Sequence, residues 1–111
     1  MLLGAQIAAI ANGASAVPSE QDQITASEMF AYAEWRNCVL RITHRKSRTV
    51  KDRDAIADAA IEGCAGREAE YNQSLLALAR YYKLGDPAGF AGRNSGQVRL
   101  RLHEMALKEL E

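Results

Sequence analysis

No ionisable side chain occurs before Glu20 in this chain of 111 residues, so all fourteen basic and all fourteen acidic residues lie from that position onward. The chain also lacks an apolar run long enough to cross a bilayer: Leu2 to Ala11 is the most apolar stretch, about half of the roughly 20 residues a spanning helix needs. Only two cysteines are present, and the net charge is zero, which excludes a uniformly basic nucleic-acid binder. No Gly-x-Ser-x-Gly, His-Glu-x-x-His or Gly-x-Gly-x-x-Gly pattern occurs, and the glycine-rich stretch 85–96 carries no Gly-Lys-Ser/Thr for a phosphate loop. Neither histidine has an acidic partner at helical spacing, so no general base is in view and an enzyme is not expected. Cys38, His44 and Cys64 are too few, and wrongly spaced, for a zinc site; no metal and no cofactor are expected.

What is there begins with the uncharged N-terminus. The apolar run ends at Asn12-Gly13 and is followed by Ala14-Ser15-Ala16, the small-x-small pattern at which secretory signals are cleaved. A basic residue normally opens such a signal, and here only the start amine serves. Residues 1–16 are therefore expected to be a signal peptide, 17–24 a linker and 25–111 a single helical domain, exported to the periplasm or secreted. In an oxidising compartment an even cysteine count reads most simply as one disulfide, Cys38 to Cys64.

At about 100° per residue, two apolar stripes can be phased from the cysteines. Thr25 and Glu28 form a capping-box start, after which Ala31, Trp35, Cys38, Val39 and Ile42 share one face of a helix that ends in basic residues near Arg45. From Thr49 and Asp52 a second stripe runs through Val50, Ala57, Ala60, Ile61, Cys64, Tyr71, Leu75, Leu78, Ala79 and Tyr82. Gly63 and Gly66 weaken that helix locally, which leaves open whether it runs straight or bends there, and Gly85 and Pro87 stop it. The glycines between 85 and 96 read as a loop anchored by Phe90. Val98, Leu102, Met105 and Ala106 then form a third stripe, with Leu100 and Leu107 on its back. Short connections make successive helices antiparallel. The expected fold is all-α: an antiparallel helical hairpin with a third, C-terminal helix packed over it, a small three-helix bundle.

Glu34 lies one turn before Cys38 and Glu68 one turn after Cys64, which raises a carboxylate dyad. Helical-wheel geometry rejects it, because the two acids emerge on opposite faces of the hairpin; Glu68 is expected to meet Arg99 or Arg101 from the third helix.

Neutrality conceals a polarised chain. Arg41, Arg45, Lys46, Arg48, Lys51 and Arg53 cluster against Asp52 alone, with His44 among them, while 54–70 holds Asp54, Asp58, Glu62, Glu68 and Glu70 against Arg67. The hairpin tip is basic and its shaft acidic. Helix-dipole capping accounts for part of the cluster, and the six basic residues are the candidate anion or partner contact.

Trp35-x-x-Cys38 and Ala60-x-x-x-Cys64, set in an alanine-rich seam, resemble small exported bacterial helical proteins stapled by one disulfide, over residues 30–82. The resemblance implies export and a single bridge, and carries over no functional site. Three functions are expected in descending order. The first is a periplasmic or secreted interaction module, of inhibitor or immunity type, that sets one helical face against an unknown protein partner. The second is a binder of anionic lipid or lipopolysaccharide through the basic tip. The third is a cytosolic nucleic-acid binder, which requires that the N-terminus not be a signal.

Overall fold

The computed structural model describes residues 19–111; the expected signal peptide, and Val17 and Pro18 of the expected linker, lie outside the described residues. All regular structure among the described residues is helical: α1 Glu20–Lys46, α2 Arg53–Gly63, α3 Ala65–Tyr81 and α4 Pro87–Glu109. There are thus four helices where three were expected, because the second leg of the hairpin is broken in two.

α1 begins five residues before Thr25. The Ser19 side chain accepts from the Asp22 backbone N–H at 3.0 Å, and Glu20 and Asp22 place negative charge in the first turn, where the helix dipole favours it. Residues 20–24 are therefore helix and not linker. At the far end His44, Arg45 and Lys46 complement the C-terminal dipole. Asp52 caps α2, its Oδ1 accepting from the N–H groups of Asp54 and Ala55.

The break comes at Cys64, which closes α2 and opens α3 with a non-helical backbone (φ −110°, ψ 22°). Gly63 contributes in a second way: a Cβ there would meet Ile42 Cδ1 at 2.7 Å, so its bare backbone lets α1 lie close beside the break. The end of α3 is set not by Gly85 but by Lys83, which takes the left-handed conformation (φ 58°). The Leu84 N–H reaches back to Ala79 O at 2.9 Å and the Lys83 N–H to Arg80 O at 3.1 Å, a Schellman closure without its usual glycine.

The stretch expected to be a loop from 85 to 96 is helix from Pro87 onward. Asp86 accepts from the Gly89 N–H at 3.0 Å, and Pro87 sits where a helix needs no N–H, so the start signal outweighs the glycines behind it. A Cβ at Gly89 would run into the Asp86 cap. The buried stripe then reads Ala91, Ser95, Val98, Leu102 and Ala106, two turns longer than the sequence suggested.

α1 packs along α2 and α3, and α4 covers the same two helices. Cys38 and Cys64 are bonded, with Cα atoms 6.0 Å apart, at the centre of a core that includes Trp35, Val39, Ala57, Ala60, Tyr71, Leu75, Val98 and Leu102. A bridge over this span contributes about 3 kcal/mol on the chain-entropy model. Alanines at 57, 60, 79, 91 and 106 are fully buried, which brings the helix backbones close together. Of the residues placed on the inner stripes, Tyr82 is half exposed; of the two leucines placed on the outer face, Leu107 packs against the core while Leu100 stays 69% exposed.

Candidate functional site

The basic end is built where the C-terminus of α1, the N-terminus of α2 and the C-terminus of α4 converge, the last being an element the sequence did not place there. Arg53 donates from Nη2 to Leu107 O at 3.0 Å and lies 3.8 Å from Glu111, so it caps α4. His44 Nε2 lies 3.1 Å from Glu109 Oε2. The end of α4 and the residues just after it thus bring two carboxylates, Glu109 and Glu111, to the cluster. Arg41, Arg45, Lys46, Arg48 and Lys51 remain exposed, and among the described residues no carboxylate comes within 4.0 Å of their charged groups. Five cations at one end form a patch that can attract an anionic surface through water but, without a concave wall, cannot enclose a small anion.

The acids lie as the wheel geometry required. Glu34 pairs with Arg67 at 3.4 Å, and Arg67 also reaches Glu70 at 3.1 Å, on the α1–α3 side. Glu68 accepts from both Nε and Nη2 of Arg99 on the α3–α4 side, and this contact holds the guanidinium pKa above its ordinary value. No shared proton links Glu34 and Glu68. His103 finds the acidic partner that helical spacing could not reveal: Asp58 Oδ1, 2.8 Å away across the α2–α4 interface. Both histidines are therefore cross-helix ties of α4.

Tyr71 donates its hydroxyl to Glu28 Oε2 at 3.1 Å. Burial, then the Glu28 charge and the bond itself, push the phenol up to about 12. Its ring packs 5.6 Å from that of Trp35, whose indole N–H is fully buried and has no hydrogen-bond partner among the described residues.

The surface the sequence reasoning missed is the outward side of α1. Met29 and Phe30 are 63% and 66% exposed, on a helix whose opposite side holds Trp35 fully buried. At about 100° per residue, Ala26, Met29, Phe30, Ala33 and Leu40 share this outward face with Asn37 and His44. Ala33 and Leu40 are half-buried and continue the apolar strip from the exposed pair toward the middle of the helix, interrupted by the exposed Asn37. A spacing of three, four and seven along 26, 29, 33 and 40 was the available signal. Phasing the helix from Cys38 hid it, because only the inward stripe was counted. Beside this face, between α1 and α3, runs an open groove lined by Phe30, Ala31, Ala77 and the Glu34–Arg67–Glu70 cluster.

No protein-family model, no curated protein and no solved structure matches the chain. Function rests on the geometry. No helix among the described residues is long and apolar enough to cross a membrane, and no group of three His, Cys, Asp or Glu residues there could hold a metal ion.

Proposed function

We propose that the protein is a small exported interaction module, acting in the periplasm or outside the cell, that holds a protein partner against the outward face of α1. The exposure of Met29 and Phe30 carries this reading. Single exposed apolar side chains are ordinary, but two large ones side by side, flanked by alanines on a helix already anchored by its other face, form a patch suited to helix packing. The Cys38–Cys64 bridge fits an oxidising compartment and fixes α1 to the rest of the bundle, so the face is presented rigidly.

A photo-crosslinking residue placed at Phe30 in the native host should give one adduct of discrete mass. The same residue at the exposed Glu62 of α2 should give none. Absence of an adduct from Phe30 in every compartment would reject the proposal.

A second reading is favoured by the five cations without carboxylate neighbours: docking of the basic end on anionic lipid or lipopolysaccharide. Co-sedimentation with vesicles should then rise with anionic lipid content and fall when Arg45, Lys46 and Arg48 are replaced by Ser. Sedimentation indifferent to both removes it.

A further inference from the structure

Charge along α1 divides at its middle. Glu20, Asp22, Glu28 and Glu34 are the ionisable acids and bases of 20–35 other than tyrosine, with no cation among them; Arg36, Arg41, Arg45 and Lys46 follow over 36–46, with no carboxylate. The helix dipole explains the outermost groups only, since its effect fades within one turn. Glu28, Glu34, Arg36 and Arg41 lie further in. Glu34 is tied to Arg67, but Glu70 shares that guanidinium, so the three together keep a negative charge.

A helix that is acidic in one half, basic in the other and apolar along its outward face is complementary to itself when reversed. From this we infer that the occupant of the outward face is a second copy of this chain, its α1 packed antiparallel on the first about a two-fold axis at the level of Asn37. The inference rests on the reading of that face as an interaction surface and names its partner.

Such a pair is isologous, every contact occurring twice. With the axis at Asn37, Ala33 of one copy meets Leu40 of the other, a small side chain against a large one. Glu34 approaches Arg41 on the same flank of the seam, and the Phe30 ring lies beside the Arg45 guanidinium. The parallel arrangement would set acid against acid and base against base, so charge selects the direction. Size limits the strength. α1 has 27 residues. With the axis at Asn37 only residues 28–46 overlap their counterparts, and at about 1.5 Å rise per residue and about 10 Å diameter that overlap offers a strip on the order of 300 Å² per copy, below the usual size of a specific interface. The dimer is accordingly weak and reversible, with a dissociation constant on the order of 100 μM that rises with salt.

Sedimentation velocity on the whole protein, purified with its disulfide intact, tests this. At low ionic strength the expected result is a concentration-dependent monomer–dimer equilibrium. Phe30→Asp and Arg41→Glu should each weaken it about tenfold, while helical circular dichroism confirms that the fold is unchanged. Glu34→Lys alone should also weaken it. Mixed with Arg41→Glu it should restore dimer, because both flank contacts of that mixed pair again join opposite charges. Protein that stays monomeric at about ten times the expected dissociation constant overturns the inference, as does a dimer indifferent to all three substitutions or a mixture without rescue. In the crosslinking experiment at Phe30, an adduct of twice the monomer mass supports self-pairing. An adduct with another protein, from a chain that is monomeric alone, removes self-pairing and keeps the interaction face; no adduct removes both.

Discussion

The inward face of α1 buries Trp35, Cys38, Val39 and Thr43 almost completely, whereas its outward face leaves Met29 and Phe30 about two-thirds exposed. Both faces carry apolar side chains in helical phase, yet one forms the core of the monomer and the other turns its two largest side chains to solvent. The inward side chains are tied by covalent and polar contacts as well: the bond to Cys64, and the hydroxyl of Thr43 donating to Val39 O at 2.8 Å. The outward pair has no such fixings. A helix needs one buried stripe to join a bundle, and the second stripe is the one left over for the interaction proposed above.

The sharpest way to break this contrast is to truncate one aromatic on each face. Trp35→Ala should cost about 3–5 kcal/mol, by removing the largest fully buried side chain from the centre of the core. Phe30→Ala should change monomer stability by less than about 0.5 kcal/mol. Denaturant unfolding of both variants at low protein concentration checks the pair of values, and a loss above about 1 kcal/mol for Phe30→Ala would mean that the outward face belongs to the fold.

Next in size is the bridge. Replacing Cys38 and Cys64 together by Ala should cost about 3 kcal/mol and lower the thermal midpoint. Backbone hydrogen exchange should rise around residues 61–68, because Cys64 is the only junction between α2 and α3 and its side chain supplies no cap. If exchange instead rose first near Phe30, the outward face would depend on the bridge more than its position implies.

Much of this was legible in the sequence. The inward stripe, the pairing of the cysteines, the antiparallel register and a contact of Glu68 with either Arg99 or Arg101 all follow from a period of 3.6 residues and one cross-link; the structure selects Arg99. The rest was hidden for identifiable reasons. The break at Cys64 falls between Gly63 and Gly66, whose low helix propensity marked the place but could not decide between a continuous, a bent and a broken helix. The start of α4 was legible but outvoted: Asp86-Pro87 is a strong opening, and the glycines behind it are tolerated because Ala91, Val98 and Leu102 bury the same side of the helix. The partners of His44 and His103 sit on other helices at separations of 65 and 45 residues, which no local pattern encodes. The outward face of α1 is diluted by Ala26, Ala33 and Asn37, and alanine marks a contact only once something is shown to be missing from it.

A smaller effect probes the inward side by pH. Because Tyr71 is raised from its ordinary value to about 12, folding favours its protonated form. Its contribution to stability is complete below about pH 10 and is lost as the pH climbs toward 12. Ultraviolet titration of the native protein should show one phenol ionising near pH 12, absent in Tyr71→Phe and shifted down in Glu28→Gln. A Tyr71 that titrates with the exposed phenols would mean that the upper part of the inward face is wet.

The smallest expected effect tests the end of the molecule that supports the outward face. Lys83 is held left-handed at φ 58°, a conformation that a side chain with a Cβ adopts at a penalty and glycine adopts freely. Lys83→Gly should therefore stabilise by about 0.5–1 kcal/mol, since the Schellman closure at Leu84 and Ala79 demands that backbone whatever the residue. The neighbouring Tyr82 hydroxyl accepts from Gln21 Nε2 at 2.7 Å, so the closure of α3 also steadies the first turn of α1. Better order there should reach Met29 and Phe30 only as a slight tightening of the α1 dimer, because both are held to the bundle by Trp35, about one and a half turns away, and not by the helix terminus. A large change in dimer affinity on Lys83→Gly would place the weak point of the outward face at its N-terminal end, and would make the capping of α3 part of how that face is presented.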